Sequence, residues 1–395
     1  MIAAAFIGPG TVTVCTLAGV NFGFSLLWAM IISVVATIVL QEMSARLGLV
    51  SQRGLSDIIR SEIQNPIFKA SAIFLVLSAI VVGNTAYEAG NISGGVLGLE
   101  TFLSDGVLYL GARSFNYLSI VIGIVAFLLL YLGNYKAIER VLIALVTIMS
   151  LAFLITAILT GPDLLAMVKG MFVPSFSGEN LLMVIALVGT TVVPYNLFLH
   201  ASLVNEKWKS VNDLKHARKD TIIAIVLGGV VSMSVMIAAA SIQDKDISSA
   251  ADLAKGLEPL FGSFAKYVMG AGLFAAGITS AITAPLAAAY VATGCLGWSS
   301  DFKSSRFRAV WMLILIIGVM FSSLGIKSIE IIRFAQITNG ILLPVIAAFL
   351  LWVMNEKQIL GEYRNTRLQN FVGIVIVLFT LFLGIKSVLK VVSAL

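Results

Sequence analysis

The stretch LLMVIALVGTTVVPYNLFLHASLV, Leu181 to Val204, is long and apolar enough to cross a membrane as a helix, yet it carries a helix breaker at its middle. Pro194 has no N–H to donate, and its ring meets the carbonyl four residues back. The preceding Gly189-Thr190-Thr191 run favours helix only weakly, so unwinding is expected between Thr190 and Asn196. Hydrocarbon cannot satisfy the backbone groups released there; irregular backbone persists at bilayer depth only inside protein or beside a wet cavity. The break is therefore a candidate solute site. A counterpart lies near the start, where Gly8-Pro9-Gly10-Thr11 interrupts the apolar run Ile2 to Val20.

The composition agrees with a membrane-embedded chain. Of 395 residues, 59% are apolar and only 12% charged, and the mean hydropathy is +1.01, far from an ordinary soluble domain. The net charge of +6 is explained by topology rather than by nucleic acid, which is not an expected partner. Cys15 and Cys295 both fall in apolar spans, so they read as packing residues and not as a disulfide or zinc ligands. The first segment lacks the basic start and small-residue cleavage site of a signal peptide and is expected to stay in place. Lone Gly-x-Gly patterns follow no strand, so no cofactor is expected. Neither an ATP-binding motif nor a nucleophile–base set is visible, which argues against a primary pump and an enzyme.

Apolar runs of ~20 residues bounded by polar or Gly/Pro-rich turns give about eleven spans. Span 1 is Met1 to Val20, broken at 8–11; span 2 is Ser25 to Leu47, span 3 Ser71 to Leu97, span 4 Leu118 to Leu132 and span 5 Val141 to Leu159. Span 6 is the opening stretch, and spans 7 to 11 are Ile222 to Ile242, Phe264 to Leu296, Val310 to Leu324, Ile331 to Met354 and Phe371 to Val392. Basic residues gather in alternate loops: Arg46, Arg53 and Arg60 after span 2, Lys136 and Arg140 after span 4, Lys207 to Lys219 after span 6, Lys303 to Arg308 after span 8. That asymmetry puts the N-terminus in the cytoplasm and the C-terminus outside a multi-pass plasma-membrane protein. Five spans, then five more with opposite orientation, each set opened by a broken helix, describe an all-α polytopic membrane protein of LeuT type. The expected units are 1–160 (spans 1 to 5), 161–354 (spans 6 to 10, broken at 190–196) and 355–395 (the extra helix), with inverted repeats as the first two.

Several motifs resemble the Nramp family of proton-coupled divalent-metal transporters, over nearly the whole chain. The family's Asp-Pro-Gly-Asn, followed by Ala-Gly-x-x-Phe-Gly-Tyr, is similar to Gly8-Pro9-Gly10-Thr11 and Ala18-Gly19-Val20-Asn21-Phe22-Gly23-Phe24. Its Met-Pro-His-Asn-Leu-x-Leu-His matches Val193-Pro194-Tyr195-Asn196-Leu197-Phe198-Leu199-His200. Gln336 stands in the place of a family Gln near the metal, and Leu360-Gly361-Glu362 resembles a family Met-Gly-Glu turn. The resemblance implies a substrate held by side chains at positions 8, 11 and 193 and by the carbonyls of Ala5 and Thr190.

Here the chain departs from the pattern. Gly8, Thr11 and Val193 replace the family's Asp, Asn and Met, so both the carboxylate and the soft sulfur are gone, and with them the argument for tight binding of a soft transition metal. The expected site is lined by Ala5, Gly8, Thr11, Thr190, Thr191, Val193, Tyr195, Asn196, Gln336 and Asn339, and any metal would be held only through these dipoles. A hydrated divalent ion, a monovalent cation and a small polar or anionic solute all remain open.

Glu88 is the one acid deep in an apolar span, with Asn84 and Asn91 at helical spacing beside it. His200 lies one turn past the second break and titrates near neutral pH when unperturbed. Asn84, Glu88 and His200 are the candidates for a proton pathway, set against a reading in which they are simply packed and uncharged. Gly90, Gly94 and Gly98 have the small-x-x-x-small spacing of close helix contacts. The expected protein is a symport-type secondary transporter of an inorganic ion or other small solute, in contact with the lipid bilayer. A non-transporting sensor or scaffold of the same fold is the alternative.

Overall fold

The computed structural model describes residues 7–103, 106–111, 113–133 and 136–392. Its helices are α1 (Pro9–Phe22), α2 (Leu27–Ser51), α3 (Leu55–Glu62), α4 (Pro66–Glu100), α5 (Leu118–Leu132), α6 (Lys136–Leu159) and α7 (Leu164–Phe172) in the first part. There follow α8 (Leu181–Thr191), α9 (Pro194–Lys207), α10 (Leu214–Ala239), α11 (Ala265–Leu296), α12 (Ser305–Ser322), α13 (Ser328–Val353) and α14 (Arg367–Val392). A hairpin of β1 (Val107–Leu110) and β2 (Arg113–Asn116), pairing Val107 with Asn116, joins α4 to α5. Among the described residues nine helical stretches are long and apolar enough to span a membrane, α8 and α9 together counting as one. With the shorter α5 and α1, they account for the spans expected from sequence in a LeuT-type fold. Inner faces pack around large buried side chains such as Trp28, Phe153, Phe198 and Trp311, while Phe74, Ile124 and Leu378 point outward, as a lipid-facing surface requires.

The helices that follow the two expected breaks start the same way. Gly8 and Val193 are extended N-cap residues (φ −93°, ψ 174° and φ −78°, ψ 120°), and Pro9 and Pro194 open the helices that follow, where a missing N–H costs nothing and the fixed φ already suits a helix. In the second break only Val192 and Val193 separate α8 from α9, narrower than the 190–196 expected. Any half-helix before Gly8 falls on residues outside those described.

Hydropathy finds the apolar part of each helix and not its ends. The helix α4 begins at Pro66 because Asn65 Oδ1 accepts from the Ile67 and Phe68 amides at 2.9 and 3.2 Å, and α10 begins at Leu214, carrying its polar first turns beyond the apolar window. Arg46 corrects the sequence reading: expected in a basic loop, it lies inside α2, 1% exposed. It pairs with Glu42 at 3.0 Å, and donates to the Tyr363 carbonyl and Asn365 Oδ1 at 2.7 and 2.8 Å. Arg218 of α10 donates to the other Glu42 oxygen at 2.7 Å, so this cluster ties α2 to α10 and to the turn before α14.

The small residues do bring helices together. A Cβ at Gly94 would overlap the Pro9 ring, one at Gly98 the Phe274 backbone, and one at Gly90 would sit 3.0 Å from Ala335. Thus α4 lies against α1, α11 and α13 at once, which puts its polar middle beside the first break.

Candidate functional site

The two breaks touch. Thr11 Oγ1, in the first turn of α1, is 3.1 Å from Thr190 Oγ1, in the last turn of α8, and both are buried. Around this contact the starts of α1 and α9 present the positive ends of their helix dipoles, and the end of α8 its negative end. Asn196 lies in the first turn of α9, 7% exposed, its amide donating to the Val193 carbonyl at 3.1 Å. Thr191 corrects the expected lining: its hydroxyl donates to the Leu187 carbonyl at 2.8 Å and also meets Met30 Sδ at 3.5 Å, so it serves its own helix and α2.

A third side comes from α13. Gln336 and Asn339 are each 1% exposed and one turn apart. The Gln336 amide lies directly on Gly10, and the Gln336 backbone carbonyl lies against Gly189, so this residue spans the gap between α1 and α8. Asn339 turns toward Gly83 of α4. Gln336 Oε1 and Asn339 Nδ2 have no protein partner, leaving one acceptor and one donor for a solute or its water.

Tyr195 packs edge-on against Tyr87 of α4, ring centroids 5.4 Å apart. A Cβ at Gly8 would meet Ser280 Oγ of α11 at 3.3 Å and the Tyr87 hydroxyl at 3.7 Å. Sequence reasoning passed over both hydroxyl groups. Tyr87 was visible in the polar middle of span 3, and the signal for Ser280 was the Thr279-Ser280-x-x-Thr283-Ala284-Pro285 run, a second proline-bearing polar patch inside an apolar span. Ala5 lies outside the described residues. Among those described, no group of three or more His, Cys, Asp or Glu side chains could hold a metal ion.

The proton-pathway candidates are dispersed. Glu88, fully buried, accepts from Asn91 Nδ2 at 3.3 Å through one oxygen, the other having no partner. Its methylenes press on Gly318 of α12, away from the contact between the breaks. Asn84 does not join them: it donates to the Ala284 carbonyl of α11 at 2.9 Å. His200 Nδ1 is 2.6 Å from Gln41 Oε1, next in sequence to the Glu42 that pairs with Arg46.

Comparison with known proteins agrees with this architecture. The divalent metal cation transporter MntH of Caldanaerobacter subterraneus subsp. tengcongensis is 24% identical over 396 residues, covering 97% of this chain and 90% of that protein. MntH of Yersinia pestis is 27% identical over 391 residues, with 97% and 91% covered. The manganese transporter of Eremococcus coleocola superposes with a TM-score of 0.77 at 20% identity, over 98% of this chain and 84% of the other. A nucleobase-cation-symport-1 family transporter in a closed conformation shares the broader fold, with a TM-score of 0.52 at 13% identity over 100% and 92%. Residues 1–390 match the family described as natural resistance-associated macrophage protein-like, and both breaks fall within them, so the chain belongs to the Nramp family.

Proposed function

We propose that the protein is a secondary transporter that carries an inorganic cation by alternating access, a divalent ion that keeps part of its hydration shell. The class of cargo follows the relatives, which are named divalent metal cation transporters. The hydration follows from the residues. At Gly8 and Val193 there is neither carboxylate nor thioether, and dipoles alone do not compensate the dehydration of a small divalent ion, which gives up its waters reluctantly. Water bound to a cation can only donate, and the oxygens of Thr11, Thr190, Asn196 and Gln336 accept. The observation that carries the reading is the 3.1 Å contact between Thr11 and Thr190: it joins the two broken helices at one point, where a solute replacing it would touch both halves. Units 1–160 and 161–354 would then rock against each other as inverted repeats.

Proton linkage is assigned to Glu88 and His200; Asn84, whose amide donates to the Ala284 carbonyl, is a separate candidate on the α11 side of the helix that carries Glu88. The reading includes a plasma-membrane location with the N-terminus cytoplasmic, which the basic residues of alternate loops support. Purified protein in liposomes is expected to take up magnesium saturably, and Thr11→Ala or Asn196→Ala to raise the KM about fivefold, the loss of one hydrogen bond. An internal pH dye reads the proton: acidification that persists in Glu88→Gln and His200→Ala removes both from the pathway. Absence of saturable uptake, or variants indistinguishable from the parent, would overturn the reading.

A further inference from the structure

We infer that Ser280 and Tyr87 determine the cation preference of this site, a proposal that rests on the transport reading above. Gly8 occupies the position where the family pattern has its acid, and the space beside it is taken by two hydroxyl groups. Ser280 Oγ and the Tyr87 hydroxyl lie 3.3 and 3.7 Å from where a Cβ at Gly8 would stand. Both side chains are held in place. Ser280 is 7% and Tyr87 3% exposed, and the Tyr87 ring is braced edge-on by Tyr195, which follows the second break. Gln336, with an unpartnered amide oxygen, lies on Gly10 two residues along.

The site therefore has three sides. Thr11 and Thr190 form one, Gln336 the second, and the Ser280–Tyr87 hydroxyl pair the third. A hydroxyl accepts a hydrogen bond from a cation's water or donates one to an anion, and it carries no net charge. Such a wall receives a hydrated cation through its shell and gains nothing extra from a soft or strongly polarising metal. The same hydroxyls would receive a carboxylate placed at Gly8: Ser280 rotates aside by a few tenths of an ångström, and both groups donate to the new oxygens.

Two measurements test this separately. In liposomes, Ser280→Ala and Tyr87→Phe are each expected to raise the KM for magnesium about fivefold with little change in maximal rate. An unchanged KM, or a loss confined to maximal rate, overturns the assignment. In detergent, manganese binding is followed by the loss of the free-ion electron paramagnetic resonance signal. Gly8→Asp is expected to bind manganese about a hundredfold more tightly than the parent, through the added charge. Adding Ser280→Ala to Gly8→Asp is expected to weaken that binding about fivefold. If Gly8→Asp binds no better than the parent, or the second substitution changes nothing, the proposal fails. This binding arm does not depend on flux, so a parent protein that moves no cation would refute the transport reading alone.

Discussion

At Gly189 the α8 backbone rests on α13: an added methyl would overlap the Gln336 carbonyl and crowd the Gly340 amide. At Gly10 the neighbour is instead the far end of the Gln336 side chain, which can swing away. The two glycines should thus respond differently to the same change. Gly189→Ala is expected to destabilise the protein by about 1–3 kcal/mol through backbone displacement, seen as a lower melting midpoint in detergent. Gly10→Ala should melt near the parent while altering uptake. Equal melting losses would contradict the placement of Gln336. At this scale the sequence was readable wherever chemistry is local. Pro9 and Pro194 mark their own breaks because the missing N–H belongs to the residue itself. Thr191 could not be told from Thr190, since neighbours on a helix point about 100° apart and only the packing of α2 decides which faces inward. Ser280 was hidden for a related reason: it reaches Gly8 across some 270 positions of chain, and nothing in either stretch refers to the other.

Among the elements, the long apolar helices were legible and the short ones outside the membrane were not. The β1–β2 hairpin, α3 and α7 are too brief for periodicity to register; α7 is announced only by Asp163, whose carboxylate caps the Leu165 and Ala166 amides at 2.9 and 3.1 Å. The segment between α10 and α11 holds an ion cluster of the same kind, Lys255 Nζ lying 2.9 Å from both Asp244 and Asp252. Burial pushes the Asp252 carboxyl up, but Lys255 and hydrogen bonds from Ser249 and Ser248 outweigh it and hold the group at about 2. The two carboxylates in turn push the Lys255 ammonium above its ordinary value. Because the folded Asp252 value is depressed, its contribution is present above the unfolded value near ~4 and is lost as pH falls through about 2. Lys255 contributes below its unfolded value and loses that only in strong alkali. With the proposed orientation this segment faces outward. Acidifying only the outside of sealed, right-side-out vesicles from about pH 5 to about pH 2 should then lower amide protection across 244–255, read by hydrogen exchange. Protection that holds would contradict the ion cluster or the orientation.

For the whole molecule, the order of spans and the family emerge from the same pattern of broken helices and basic loops, whereas the identity of the cargo does not, because the residues that would name it have been replaced. The structure surrounds that replacement with hydroxyls and amides, and sets Glu88, the one deeply buried acid among the described residues, against α12. The claim at the centre is that a site with no fixed charge moves a cation together with water. Competition in liposomes tests it most directly: magnesium uptake by the unaltered protein, measured while external manganese is raised. Manganese should compete no better than magnesium itself, inhibiting only at comparable concentration. Block of uptake by manganese at low-micromolar concentration would contradict the account.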